Sequence, residues 1–316
     1  MKDIITLLRA SLLAYHKAAL AVVTKTWGSA PRQVGSMMLV RADGTFEGSV
    51  SGGCVEGTVI AEAQSLLASG GHKDLSFAVS NDDAFAVGLA CGGEINVSIF
   101  ALTDRDISAC EASLKALQNR ETGSLILSKS PVKARYGAAT APVLEVNDQA
   151  VTLSVAPSLR LDIIGAVHIA QALTPMASVC GFDVTVIDPR EAFTDNRTFR
   201  GATVVNNWPD EHFKVTPPDA LTAVVTLTHD PKLDDAALVP ALNAEAFYIG
   251  CLGSKKTHAA RLERLAALGI SEQARARISG PVGLDIGAKT PAEIAASILA
   301  EIIAVYRSKG ADIRAV

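Results

Sequence analysis

The sequence predicts an α/β protein, with a doubly wound parallel sheet in its C-terminal half and a smaller α+β domain before it. Three observations carry this. From about residue 160 onward, short β-branched runs alternate with helical stretches, the rhythm of a parallel sheet with right-handed crossovers. The first of these strands, Leu161–Ile164, runs directly into Gly165-Ala166-Val167-His168 and a helix. The second ends at Asp188, 23 residues beyond Gly165, close to the ~20-residue offset at which an acidic side chain meets a ribose hydroxyl. Together they make the C-terminal half Rossmann-like.

At 316 residues the chain has room for two domains, and Pro157-Ser158 is the expected seam, giving domains over 1–157 and 158–316. Aromatic residues are only 5%, so aliphatic side chains must fill the cores. The net charge of −4, with basic residues scattered, argues against a nucleic-acid binder. No run approaches the ~18 apolar residues that span a bilayer. The N-terminal stretch is interrupted by Asp3, Arg9, His16 and Lys17, and its apolar residues form one helical stripe through Ile4, Leu7, Leu8, Leu12 and Leu13. It reads as a surface helix rather than a signal peptide, so a cytoplasmic protein is expected. Five cysteines without a C-x-x-C pair point to reduced thiols rather than a disulfide framework. They also lack the paired spacing of structural zinc, and no nucleophile-elbow pattern is present.

In the N-terminal half, Ala21–Thr26 reads as a strand ended by Gly28, Ser29 and Pro31, and Gly35–Val40 as the next. Asp43-Gly44 is a hairpin signal leading into Thr45–Val50. A glycine turn, Ser51-Gly52-Gly53-Cys54-Val55-Glu56-Gly57, opens a helix to about Ala68. A second cluster, Gly88 to Gly93 around Cys91, precedes the strand Glu94–Phe100. Residues 106–119 are helical in pattern, and short strands alternate with turns over 122–155. Beyond the seam, strands are expected at Leu161–Ile164, Asp183–Ile187, Ala202–Val205, Ala223–Leu227 and Ala246–Ile249. Helices are expected near 167–179, 232–242, 255–268 and 290–307.

The turn Gly165–His168 aims helix amides at an anion, where the dipole adds roughly half a positive charge. With Asp188 it favours a nucleotide-like ligand at the sheet's C-terminal edge. Val167 replaces the middle glycine of G-x-G and would crowd a dinucleotide there, so NAD(P) is not the expected ligand, although an NAD(P)-dependent oxidoreductase is the alternative enzyme reading. A second turn, Gly250 through Gly253-Ser254-Lys255-Lys256, offers a hydroxyl and two ammonium groups at another helix start. Either an anion site or an ordinary solvated helix start fits it. Cys54, wrapped by Gly52 and Gly53 near a helix start, should be partly thiolate. Cys91, followed by Gly92 and Gly93, has the same character. Cys110, Cys180 and Cys251 lie on apolar periodic segments and read as inert.

Several of these segments together resemble one family. They are Thr26-Trp27-Gly28-Ser29-Ala30-Pro31-Arg32 with Gly35-Ser36-Met37, Gly48 through Gly57, Cys91-Gly92-Gly93, Asp188-Pro189-Arg190, Thr228-His229-Asp230, Tyr248 through Lys256, and Pro281 through Gly287. The chain resembles the XdhC/CoxI family, accessory and maturation proteins of xanthine dehydrogenase and carbon monoxide dehydrogenase. The resemblance implies a protein without turnover of its own that binds the molybdenum cofactor (molybdopterin). It would assist the cofactor's sulfuration with a cysteine desulfurase and deliver it to an apo-molybdoenzyme; a homodimer is a further expectation. Cofactor-binding residues are then expected among Gly52, Gly53, Cys54, Glu56, Cys91, Gly92, Gly165, His168, Asp188, Gly253, Ser254, Lys255 and Lys256. Cys54 and Cys91 would be the molybdenum contacts, since soft thiolates suit the metal, and their sulfurs are expected to converge on one pocket. The family's Gly-Ala-Gly-His is Gly165-Ala166-Val167-His168 here.

Overall fold

The computed structural model describes residues 1–28, 32–53, 55–79, 93–138 and 143–308. The chain forms two compact units of similar length, one built on Met1–Pro157 and the other beginning at Ser158.

The first unit carries two antiparallel sheets. The larger has the strand order β3-β2-β1-β5-β4, with β1 (Lys17–Gly28), β2 (Met37–Val40), β3 (Phe46–Gly48), β4 (His72–Val79) and β5 (Gly93–Thr103). The β2–β3 hairpin turns at Asp43-Gly44: Gly44 has φ 84, the left-handed conformation that glycine adopts most easily, and Asp43 accepts from the Thr45 N–H at 2.9 Å. Helix α1 (Lys2–Tyr15) buries Ile5, Leu8 and Leu12 on one face of this sheet; of the expected stripe, Ile4 and Leu7 are only partly buried and Leu13 is exposed. Helix α2 (Glu56–Ser69) packs Val59, Ala63 and Leu67 on the other. Helix α3 (Ile107–Gln118) joins the α1 side, where the second sheet also contributes to the core. That sheet has the order β7-β6-β9-β8, with β6 (Gly123–Lys129), β7 (Val132–Gly137), β8 (Leu144–Val146) and β9 (Ala150–Val155).

The second unit is the expected Rossmann-like sheet. Its strands are β10 (Arg160–Ile164), β11 (Asp183–Ile187), β12 (Ala202–Val205), β13 (Thr222–Thr226), β14 (Tyr248–Cys251) and β15 (Ile278–Ser279). They are all parallel and ordered β12-β11-β10-β13-β14-β15. Both faces are covered. Alternate residues such as Leu161, Ile163, Val184 and Val186 meet helices α4 (His168–Val179) and α10 (Pro291–Ser308). The intervening Ile164, Ile187 and Val224 meet α7 (Pro231–Asn243) and Leu265 of α8 (Lys255–Ala267). Burial on both faces explains why these strands read as continuous aliphatic runs.

Four short elements have no counterpart among those expected from the sequence: α5 (Glu191–Thr194), α6 (Pro209–Val215), α9 (Glu272–Arg275) and β15. Strand β4 likewise has no counterpart among the strands expected from the sequence. Among the described residues no helix is long and apolar enough to cross a membrane.

Candidate functional site

The strand order reverses between β10 and β13, and a parallel sheet opens its ligand crevice at the carboxyl ends of the strands at such a point. A cavity of about 530 Å³ lies there, lined by Val167, Arg190, Leu227, Thr228, His229, Asp230 and Pro231.

The turn after β10 is built differently from a phosphate-binding glycine loop. Gly165 adopts φ 108, and a Cβ on it would come 2.6 Å from Thr228 Cγ2. Glycine is therefore required for the loop after β13 to approach, independently of any ligand. Three amides of the turn itself are already bonded. The Gly165 N–H donates to the Ile187 carbonyl at 3.0 Å, and the Val167 N–H folds back to the Gly165 carbonyl at 2.9 Å. The Ala166 N–H donates to Asp188 Oδ2 at 2.8 Å.

Asp188, expected to face a ribose, is instead turned inward. Its side chain is fully buried, and Arg190 grips it with Nε on Oδ1 at 2.8 Å and Nη2 on Oδ2 at 2.7 Å. The Arg190 backbone N–H adds a further bond to Oδ1 at 3.0 Å. Burial pushes the Asp188 carboxyl up, but the Arg190 and Ala166 donors outweigh it and hold it below the usual carboxylate range. In this conformation Asp188 supports the turn rather than presenting an acceptor. Arg190 remains about one-third exposed and forms the crevice wall. Its guanidinium lies 4.2 Å from the Phe193 ring centre, with Arg197 4.7 Å from the same ring. Arg197 also donates to the Ala166 carbonyl.

On the opposite wall, Thr228 Oγ1 accepts from the Asp230 N–H at 3.2 Å and donates to Asp234 Oδ1 at 2.6 Å. Asp234 is buried against Arg261, whose Nη2 reaches Asp234 Oδ2 at 3.3 Å and the Leu252 carbonyl at 2.8 Å. A buried ion pair thus ties the crevice loop after β13 to the glycine turn after β14. Burial raises the Asp234 carboxyl above its ordinary value despite Arg261. In that second turn Gly253 has φ 137, and Ser254 caps α8 by accepting from the Thr257 N–H at 3.2 Å. Lys255 and Lys256 are exposed; neither they nor the exposed His168 lines the crevice.

In the first unit, Glu56 organises the glycine turn instead of facing outward. Its Oε1 accepts from Ser49 Oγ (2.8 Å) and from the N–H groups of Val50 (3.2 Å), Ser51 (2.9 Å) and Gly52 (3.0 Å). Its Oε2 accepts from Ser51 Oγ at 2.5 Å and the Gly53 N–H at 2.9 Å. Burial pushes this carboxyl up, but the Ser51, Ser49 and Gly52 donors pull it far below the carboxylate range. The cradle of amides already contains its anion, so the expected cofactor contact by Glu56 gives way to a structural one.

Cys54, Cys91 and Gly92 lie outside the described residues, and with them the expected convergence of the two sulfurs. Of the other cysteines, Cys110 and Cys251 are buried, and burial pushes their thiols up to about 12 and about 11, as inert thiols require. Cys180 is exposed at the end of α4, contrary to its apolar setting in the sequence. Arg190, Thr228 and His229 stand out in the sequence only as parts of family-matching segments. Their position just past the ends of predicted strands is the signal that could have placed them in the site.

The model for the XdhC and CoxI family matches residues 12–78, and that for the XdhC Rossmann domain matches residues 161–302. The molybdenum cofactor insertion chaperone PaoD of Escherichia coli (strain K12) is 30% identical over 303 residues, spanning 93% of this chain and 85% of PaoD. A probable xanthine dehydrogenase subunit from Bacillus subtilis (strain 168) is 28% identical over 328 residues, spanning 94% of this chain and 96% of its own length. A crystal structure described as a xanthine dehydrogenase from Bacillus halodurans superposes with a TM-score of 0.78 at 26% identity, covering 98% of this chain and 97% of that one.

Proposed function

Since this chain belongs to the XdhC and CoxI family, we propose that it is an accessory protein that holds the molybdenum cofactor and hands it to an apo-molybdoenzyme of the xanthine dehydrogenase type. The similarity to PaoD over almost the whole chain is the observation that carries this reading. The cofactor is cargo here, and the chain needs no turnover of its own. Sulfuration of the cofactor by a partner cysteine desulfurase, a homodimeric state and a cytoplasmic setting complete the proposal.

The crevice supports it. The cofactor carries a phosphate, and a cavity of about 530 Å³ bordered by Arg190 and His229 offers side-chain donors for such a group. With the Gly165, Ala166 and Val167 amides engaged by Ile187, Asp188 and Gly165, recognition falls to these side chains and to the first amides of α4. A pyrophosphate seated in the usual way on the Gly165–His168 turn would find no free N–H on Ala166 or Val167, which disfavours an NAD(P)-dependent oxidoreductase. Cys54 and Cys91 are assigned to the dithiolene and metal end of the cargo, where soft thiolates suit molybdenum.

Retention of the cargo by cysteine variants tests the assignment. Protein isolated anaerobically from cells making the cofactor should lose at least about tenfold of its bound pterin on Cys54→Ala or Cys91→Ala, the scale of one strong contact. Cys110→Ala, which empties only a core position, should retain it. Equal retention by all three variants would remove the thiols from the site.

A further inference from the structure

The first unit holds a second concavity, of about 170 Å³, lined by Arg32, Ser36 and Ser49 together with Met1, Ile4 and Met37. Two glycines shape its backbone. Gly35 has φ 83 and Gly48 φ 84, and a Cβ on Gly48 would come 2.3 Å from the Met37 carbonyl oxygen. The β2–β3 pair therefore closes with no side chain between, and the cavity is a fixed feature of the fold.

Its polar groups are unevenly satisfied. Ser49 Oγ donates to Glu56 at 2.8 Å and accepts from the Gly52 N–H at 3.0 Å, so it belongs to the glycine turn. The N–H groups of that turn are held by Glu56 and offer nothing to an incoming anion. Ser36 is 8% exposed. Its backbone N–H donates to the Gln33 carbonyl and its own carbonyl accepts from the Val23 N–H, but its hydroxyl has no partner among the described residues. Arg32 likewise has neither an ion pair nor a hydrogen bond among the described residues. Ser36 and Arg32 border one small cavity, and among the described residues the side chain of neither has an acceptor. Both groups stay open to solvent and to a ligand, and an oxyanion is what a guanidinium fork with a neighbouring hydroxyl satisfies best.

We propose that this cavity is a binding site for a small oxoanion with phosphate-like chemistry, gripped by the Arg32 guanidinium and the Ser36 hydroxyl. The site goes beyond the accessory function above and depends on neither the molybdenum cofactor nor a partner enzyme. Because Ser49 belongs both to the cavity wall and to the Glu56-held turn, occupancy of the site would be felt at residues 49–53.

The anion could arrive free or as a phosphomonoester, and calorimetric titration of the full chain with inorganic phosphate and with glycerol 3-phosphate separates the two. Equal affinity identifies the free ion and tighter binding of the ester a larger ligand; either supports the site. Arg32→Ala and Arg32→Gln should weaken phosphate binding at least about tenfold, as expected for loss of one charge-assisted contact. Arg32→Lys should retain part of it, and Ser36→Ala should weaken it by a smaller factor. Arg32 is exposed, so its variants should melt as the parent does. The proposal is overturned if the parent binds neither anion at millimolar concentration, or if binding survives Arg32→Ala. It is equally overturned if His229→Ala, rather than Arg32→Ala, abolishes binding, because the anion then sits in the crevice.

Discussion

Glu56→Ala should destabilise the first unit by at least about 3 kcal/mol, because several buried or half-buried donors lose their acceptor at once and each orphaned group costs about 1–3 kcal/mol. For a domain of this size that lowers the melting temperature by roughly 6–12 °C. Glu56→Gln keeps the volume but points an amide NH2 at a ring of N–H groups, so it should recover little. Glu56→Asp shortens the reach by one methylene and cannot serve Ser49 and Gly53 together. The effect is also pH-dependent with a definite sign. The folded-state pKa lies below the ordinary value of 4.5, so the stabilisation is complete above that value and fades as the pH falls beneath it. An acid titration of the parent and of Glu56→Gln should converge at low pH. If the two proteins differ equally at all pH values, the carboxylate charge is not what holds the turn.

Arg261→Met should cost about 3–5 kcal/mol, the penalty for leaving a buried charge without its partner. Arg261 and Asp234 are both about 2% exposed, so water cannot replace the missing guanidinium. The loss should be pH-dependent in the opposite sense to that of Glu56. Burial already raises Asp234 above its ordinary 3.8, and removing Arg261 raises it further. The variant should therefore be least destabilised at acid pH, where Asp234 is neutral in both states, and should weaken as the pH rises through its folded-state pKa. Adding Asp234→Asn should recover much of the loss, because a neutral amide can still accept from Thr228. A double-mutant cycle in which the two changes simply add would show that the pair is uncoupled. Since Asp234 also holds Thr228 at the crevice, the single variant should weaken ligand binding there as well.

The parts of this fold most legible in the sequence are the strand–helix repeats of the second unit, whose central strands are aliphatic runs buried on both faces. Asp183–Ile187 and Ala202–Val205 match the expected strands residue for residue, and the four long helices of the second unit fall within two residues or so of their expected ends. Strand β4 is not legible because Lys73, Asp74 and Ser76 are exposed and its apolar alternation is weak. The candidate site is legible as a place but not as a mechanism of recognition. The offset from Gly165 to Asp188 points to the sheet edge where the crevice opens, yet spacing cannot tell whether a carboxylate faces a ligand or an arginine two residues on. Glu56 shows the same limit: an acid in the first turn of a helix signals a charge near free amides, but not that the chain folds its own turn around it.

The proposed role requires the chain to carry the molybdenum cofactor, and the pterin content of the isolated protein measures this directly. Protein purified anaerobically from cells that make the cofactor, then denatured and oxidised, should release a stoichiometric fluorescent pterin. A pterin-free protein from cells whose molybdoenzymes are themselves loaded would contradict that role.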